Sequence, residues 1–146
     1  MRVSRALVLC ALLGAPSATT QEPEFTLVAS PSNPLSSVKR QELAKLFLRK
    51  STRWSDGRAA LPVDQSLRSP VRTAFTKAVL AVEGMSQTSA VESYWLQQVY
   101  SGRGTPPPVK NTDADVIAFV AANDGALGYV SAKADVGSVK VLTIDQ

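Results

Sequence analysis

Residues 101–110, Ser-Gly-Arg-Gly-Thr-Pro-Pro-Pro-Val-Lys, cannot form the interior of a helix or of a strand. Three consecutive prolines fix φ and remove three backbone donors, and two glycines loosen what precedes them, so the stretch is a stiff, exposed connector. Whatever lies upstream must end near Tyr100, and whatever lies downstream must start afresh. Upstream, Ser89 predicts the cap of a helix over residues 90–100, with Val91, Tyr94, Trp95, Gln98 and Val99 along one face. Downstream, Thr112 followed three residues on by Asp115 is a relative of the capping box. Val116, Ile117 and Val120 give that helix a buried face, and Asn123-Asp124-Gly125 stops it.

The rest of the chain falls into short alternating elements. Phe25-Thr26-Leu27-Val28-Ala29 reads as a strand, and Ser30-Pro31-Ser32-Asn33-Pro34 as a tight polar loop. Ser36 or Ser37 caps a helix expected to run to about Leu48, with Leu43, Leu46 and Phe47 on its apolar side. Residues 50–58 form a basic loop holding Trp54 and the turn pair Asp56-Gly57. Leu61-Pro62-Val63 is a short strand, and Pro62 places it at an edge or a strand end. A helix capped by Ser69 runs to about Gly84. Residues 127–131 and 139–144 read as two closing strands. Strand–helix–strand–helix–helix–helix–strand–strand predicts an α/β, three-layer sandwich with a mixed, mostly parallel sheet flanked by helices.

The first eighteen residues read as a signal peptide: Arg2 and Arg5, then the apolar run ALVLCALLGA over 6–15, then small residues. Cleavage is expected between 15 and 20, with 19–24 a flexible lead and 25–146 a single domain. The run is too short for a permanent membrane span, and no second one follows. Lipidation at Cys10 is disfavoured by bulky Leu9 and an apolar run of only four residues before it. Cys10 is the chain's one cysteine, so the mature domain holds neither disulfide nor thiol and depends on its core. A periplasmic or secreted protein is the expectation.

Inventory excludes much chemistry. The chain has no histidine, so Ser-His-Asp and Cys-His catalysis and ordinary zinc sites are ruled out, and no phosphate-loop or dinucleotide motif is present. No cofactor and no metal site are expected. Asp56 and Asp64 flank the 61–63 strand, but an Asp before Gly in a turn serves turn geometry, and no enzyme is expected. The formal charge of +4 falls to +2 without Arg2 and Arg5, which with export argues against nucleic acid. Tyr94, Trp95 and Tyr100 have the helical spacing of core residues, not of a stacking platform.

One stretch has the composition of an anion site. Arg68-Ser69-Pro70-Val71-Arg72 is a helix start with a strong cap at Ser69, proline at the first helical position and a cation on either side. Unpaired N–H groups, the positive end of the helix dipole and two guanidinium groups suit an oxyanion. Ligands of open α/β sheets sit beyond the carboxyl ends of strands, so Ser30, Ser32 and Asn33 after the first strand are expected on the same edge. The competing reading is a surface helix with an ordinary cap and two solvated arginines.

With these elements in place, the segments LAKLFLRK–STRWSDG, LPVD–RSPVRTAF and NDGALGYVSA resemble the second lobe of the phosphate-binding proteins of phosphate ABC transporters. The resemblance runs from about Phe25 to Ile144, and it extends to short exported proteins of that superfamily that stand as single lobes. It implies one lobe of a type II periplasmic binding protein. It also implies a non-catalytic solute-binding role toward a small oxyanion such as phosphate, with Ser69 matching the ligand loop and Arg68 and Arg72 as nearby substitutes for the family's arginine, not aligned equivalents. The chain departs from the family at that loop: Pro70 and Val71 stand where the family has Gly and Thr, and Gln65 where it has Arg. The alternative is a ligand-free interaction module. It would meet another envelope protein, or a second copy of itself, through the 101–110 connector or the basic surface at Arg49, Lys50, Arg53 and Arg58.

Overall fold

The computed structural model describes residues 24–146, together with Gly14. The leader expected at 1–18 lies outside the described residues, as does the lead at 19–24 apart from Glu24. Among the described residues no helix is long and apolar enough to cross a membrane.

The chain forms, in order, β1 (Phe25–Ala29), β2 (Ser37–Lys39), α1 (Arg40–Phe47), β3 (Leu61–Pro62), β4 (Asp64–Gln65), α2 (Pro70–Ala78), α3 (Thr88–Tyr100), β5 (Val109–Lys110), α4 (Asp113–Ala122), β6 (Ala126–Ser131) and β7 (Lys140–Asp145), with a 3-10 turn at Leu80–Glu83 between α2 and α3. Five strands make one sheet in the order β2-β7-β1-β6-β3, and β4 pairs with β5 in a small parallel ladder beside it. The α/β sandwich and its mixed sheet are as expected. The parallel ladders lie at the edges, however, in β2 with β7 and β3 with β6. Both ladders flanking β1 are antiparallel, with Phe25 opposite Ser131 and Leu27 opposite Leu142. The centre of the sheet therefore departs from the mostly parallel arrangement expected. The helices join strands that are not neighbours, and β6 and β7 both return alongside β1.

Alternation along the strands divides the core in two. Phe25, Leu27 and Ala29 of β1, with Leu127 and Tyr129 of β6, face α1, α2 and α3. Val28, Ala126 and Val130 face the other way, onto Val116 and Val120 of α4. The first face is aromatic: the Phe75 and Tyr129 rings stack at 4.1 Å, and Phe47 lies 4.6 Å from Phe75. Gly128 allows the second face to close, because a Cβ there would stand 2.7 Å from Val116 and 2.8 Å from Val63.

Several boundaries differ from the sequence reading. Helix α3 starts at Thr88 after Gln87, with no side-chain cap, so Ser89 lies inside the helix and Val99 is exposed on it. Strand β5 falls within the connector at 101–110, where Val109 and Lys110 pair with β4. Residues 37–39 are strand, not the first turn of α1: buried Val38 extends alongside Ile144, and α1 begins at Arg40 with no side-chain cap. The helix from Ser69 stops at Ala78 and tightens into the 3-10 turn that ends at left-handed Gly84. The helical period is lost there, so Phe75 and Val79 are buried while Ala78 and Val82 face solvent.

Candidate functional site

The start of α2 is built as its sequence predicts. Ser69 is the N-cap, its hydroxyl accepts from the Arg72 N–H at 3.4 Å, and Pro70 occupies the first turn. The helix start faces the carboxyl ends of β4 and β6, which a polar network joins to it. Ser69 Oγ donates to Gln65 Oε1 at 2.7 Å. Gln65 Nε2 donates to the Tyr129 carbonyl at 2.8 Å and to Asp113 Oδ1 at 3.0 Å. Asp113, on the first turn of α4, accepts from the Ser131 hydroxyl at 2.7 Å and from its N–H at 3.2 Å. Gln65 thus fastens β6, α2 and α4 together, with its whole amide engaged.

Arg72 belongs to the same network. It is only 7% exposed; Nη1 donates to the Gln65 carbonyl at 3.1 Å, and Nη2 lies 3.4 Å from Asp64 Oδ2. The Tyr129 hydroxyl donates to the other oxygen of Asp64. Burial holds the Tyr129 phenol far above its usual range, and the Asp64 charge pushes it the same way. Arg72 therefore already has a carboxylate counter-ion from within the lobe. Arg68 is different: it is exposed, and among the described residues its guanidinium has no partner. Of the first backbone donors, Ser69 N–H goes to Ser66 O and Arg72 N–H to Ser69 Oγ, which leaves Val71 N–H without a hydrogen-bond partner among the described residues.

Ser30, Ser32 and Asn33 are not brought to this edge. Because β1 runs antiparallel to β6, its carboxyl end lies beside the amino end of β6, where Ser30 N–H donates to the Ala126 carbonyl. Gln65 and Ser69 gather at the other end of β6, three to five strand residues away, roughly 10–17 Å. The expectation of one shared edge assumed parallel neighbours for β1. The Ser30 loop has its own partners. Ser30 and Ser32 hydroxyls meet at 2.9 Å, Ser32 donates to Asp124 at 3.0 Å, and Asn33 Oδ1 accepts from Leu35 N–H and Arg58 Nη2, each at 2.9 Å. The Asn33 carbonyl accepts from Lys140.

The basic loop is likewise engaged within the molecule. Lys50 pairs with Glu83 at 2.6 Å, Arg58 with Asp56 at 2.8 Å, and Arg53 donates to the Gly57 carbonyl. The Arg58 hydrogen bonds hold the Asp56 carboxyl below its ordinary range. Asp56 and Asp64 thus serve different arginines and form no carboxylate pair. Trp54 is buried, and its indole N–H reaches the Gly125 carbonyl at 3.0 Å, which pins the loop to the turn before β6. A hollow of about 810 Å³ between β1, β7 and α2 is lined by Phe25, Leu27, Arg40, Lys77 and Leu142, and by none of the six residues expected to bind ligand.

Asp64, Tyr129, Asp113 and Ser131 are the members of the network that sequence reasoning did not assign to it. The available signal was Asp64-Gln65 directly after a strand and four residues before the cap, where two polar side chains must be accommodated at the sheet end.

No family's sequence profile matches the chain, and no curated protein matches it. Solved structures do. An ABC-type phosphate transport receptor from Vibrio cholerae superposes with a TM-score of 0.63 at 17% identity, over 83% of this chain and 46% of that one. PstS from Borrelia burgdorferi gives 0.63 at 12% identity, over 84% and 47%. The chain thus spans less than half the length of either. Its architecture is that of a single lobe of a periplasmic binding protein.

Proposed function

We propose that the chain is an exported, non-catalytic solute-binding-like module, related to the binding components of phosphate ABC transporters. It meets a small oxyanion such as phosphate at the start of α2. The observation that carries this reading is exposed Arg68 beside the Ser69 cap and the unpaired Val71 N–H. The likeness to the phosphate transport receptor from Vibrio cholerae supports it. The pair of arginines expected to bind becomes one: Arg68 supplies charge, Arg72 braces the loop through Asp64, and Ser69 is shared with Gln65. Ser30, Ser32 and Asn33 take no part, being at the other end of β6. A single water-exposed guanidinium and one helix start give an affinity in the millimolar range, because hydration and salt compete.

The second reading, a ligand-free interaction module of the cell envelope, is favoured by the same Asp64–Arg72 pair, since the lobe's own carboxylate sits where an anion would neutralise Arg72. Titration of labelled protein with phosphate and with sulfate, followed by amide NMR, decides between the two. Shifts at Ser69, Val71 and Arg72 at millimolar phosphate, diminished in Arg68→Ala, support the oxyanion site. No shift at about 20 mM of either salt, far beyond any affinity of use to a binding protein, leaves the interaction module.

A further inference from the structure

The sheet leaves one hollow of ligand size beside it. The hollow opens between β1, β7 and the second half of α2, and its volume of about 810 Å³ lies within the range of small-molecule sites. Its walls are largely apolar: Phe25 and Leu27 of β1, Val79 after α2, and Leu142 and Ile144 of β7. Ala74 and Ala78 of α2 line it too, small residues where longer side chains would fill the space.

Two cations stand on these walls, Arg40 from the start of α1 and Lys77 from the last turn of α2. Arg40 is the unusual one. Its Nε is buried and has no hydrogen-bond partner, a state shared among the described residues only by Asn33 Nδ2, in the loop beyond the other end of β1. Buried polar atoms are nearly always paired, so an orphaned guanidinium N–H beside a hollow marks a missing acceptor. Among the described residues no ion pair takes up its charge either. Its position adds to the demand, because the amino end of α1 is the positive end of the helix dipole and no side chain caps it. Glu42, two residues on, lies on another side of the helix. Glu24 is the one acidic side chain in the lining, and it is exposed, as is Gln146.

We propose that the hollow is a binding site for an organic carboxylate with an apolar body of about ten carbons. The body lies along Phe25, Leu27, Val79 and Leu142. A turn of the Arg40 side chain presents its Nε–H and Nη–H edge to the carboxylate, the bidentate geometry a guanidinium favours, and Lys77 adds a second charge. Neither half of such a ligand suffices: phosphate has nothing to offer the apolar walls, and a neutral alcohol leaves Arg40 unpaired. The inference does not rest on the oxyanion site at the amino end of α2, since the hollow begins a turn further on, at Ala74.

Amide NMR of labelled protein with decanoate, kept below micelle formation, tests it. Saturating shifts at Phe25, Leu27, Val79 and Leu142 are expected, with a Kd on the order of 0.1 mM for a small ligand in a half-open site. Decanol should bind about tenfold more weakly, and phosphate should leave these amides unmoved. Arg40→Gln should weaken decanoate about tenfold and leave decanol unchanged, with the melting temperature kept. Ala78→Leu, at an exposed position of the lining, should weaken both ligands more than about tenfold by filling the hollow. No shift at these amides at about 5 mM decanoate overturns the proposal. Equal affinity for decanol overturns it too, as does decanoate binding indifferent to Arg40→Gln. If the same amides shift on dilution alone and ignore decanoate, the hollow is an interface between copies and the proposal falls. Each of these failures leaves the phosphate titration at Ser69, Val71 and Arg72 untouched.

Discussion

Arg72 Nη2 lies 3.4 Å from Asp64 Oδ2 at the inner end of α2, so the lobe carries its own counter-ion where the helix start is most positive. Removing one partner leaves the other charge buried and unpaired. Asp64→Ala is therefore expected to destabilise the fold by about 3 kcal/mol, whereas Asp64→Leu together with Arg72→Met should recover most of the loss. Urea unfolding of the three proteins measures both effects. Equal losses in the single and double variants would contradict a paired role.

Gly125, in the turn before β6, and Gly128, within β6, exclude a side chain for different reasons. At Gly125 the backbone is left-handed, φ 78°, and a Cβ would stand 2.1 Å from the Ala59 carbonyl oxygen. At Gly128 the obstruction is only the methyl groups of Val116 and Val63. Gly128→Ala should cost about 1–3 kcal/mol, the usual range for overpacking. Gly125→Ala should cost more, since rigid backbone cannot give way, and ranking the two melting temperatures checks it.

The cap and its neighbour separate stability from ligand contact. Ser69→Ala removes the N-cap acceptor and the bond to Gln65, for a loss of about 1 kcal/mol. Arg68→Ala should leave stability within about 0.5 kcal/mol, because the side chain is exposed. Thermal denaturation of both, beside the phosphate titration of Arg68→Ala, tells a bracing residue from a contacting one.

Tyr129 gives the fold an alkaline limit. Its hydroxyl is buried against Asp64, so the native state keeps the proton above the ordinary value of 10.0 while the unfolded chain releases it. Above that value the unfolded state binds fewer protons than the native state, and stability falls as pH rises. Tyrosinate absorbance near 295 nm should show one component that appears only with loss of native circular dichroism. In Tyr129→Phe that component should vanish.

Much of the architecture was legible in local pattern, because it rests on local chemistry. The Thr112 cap, the strand at Phe25–Ala29 and the edge position of Pro62 follow from local pattern, and Gly125 is left-handed as expected, though in the turn before β6, because the helix already ends at extended Asn123. What local pattern could not carry was direction. Nothing in Phe25-Thr26-Leu27-Val28-Ala29 tells whether its neighbours run with it or against it, and that one unknown set the Ser30 loop at the wrong end of the sheet. The candidate site was legible at Ser69 and Arg68. Arg72 was misjudged because its fate depends on Asp64, a residue on another element that turns a binding arginine into a brace.

The antiparallel placement of β1 also orders events in time. The first strand among the described residues is the middle of the sheet, and both of its neighbours come from the last quarter of the chain: Phe25 awaits Ser131, and Leu27 awaits Leu142. A growing chain cannot assemble this sheet piecemeal. Until β6 and β7 arrive, β1 has two open edges, and the loop to be closed spans nearly the whole domain, which makes folding slow and late. The sheet therefore closes only once residues 126–145 are available to pair with β1.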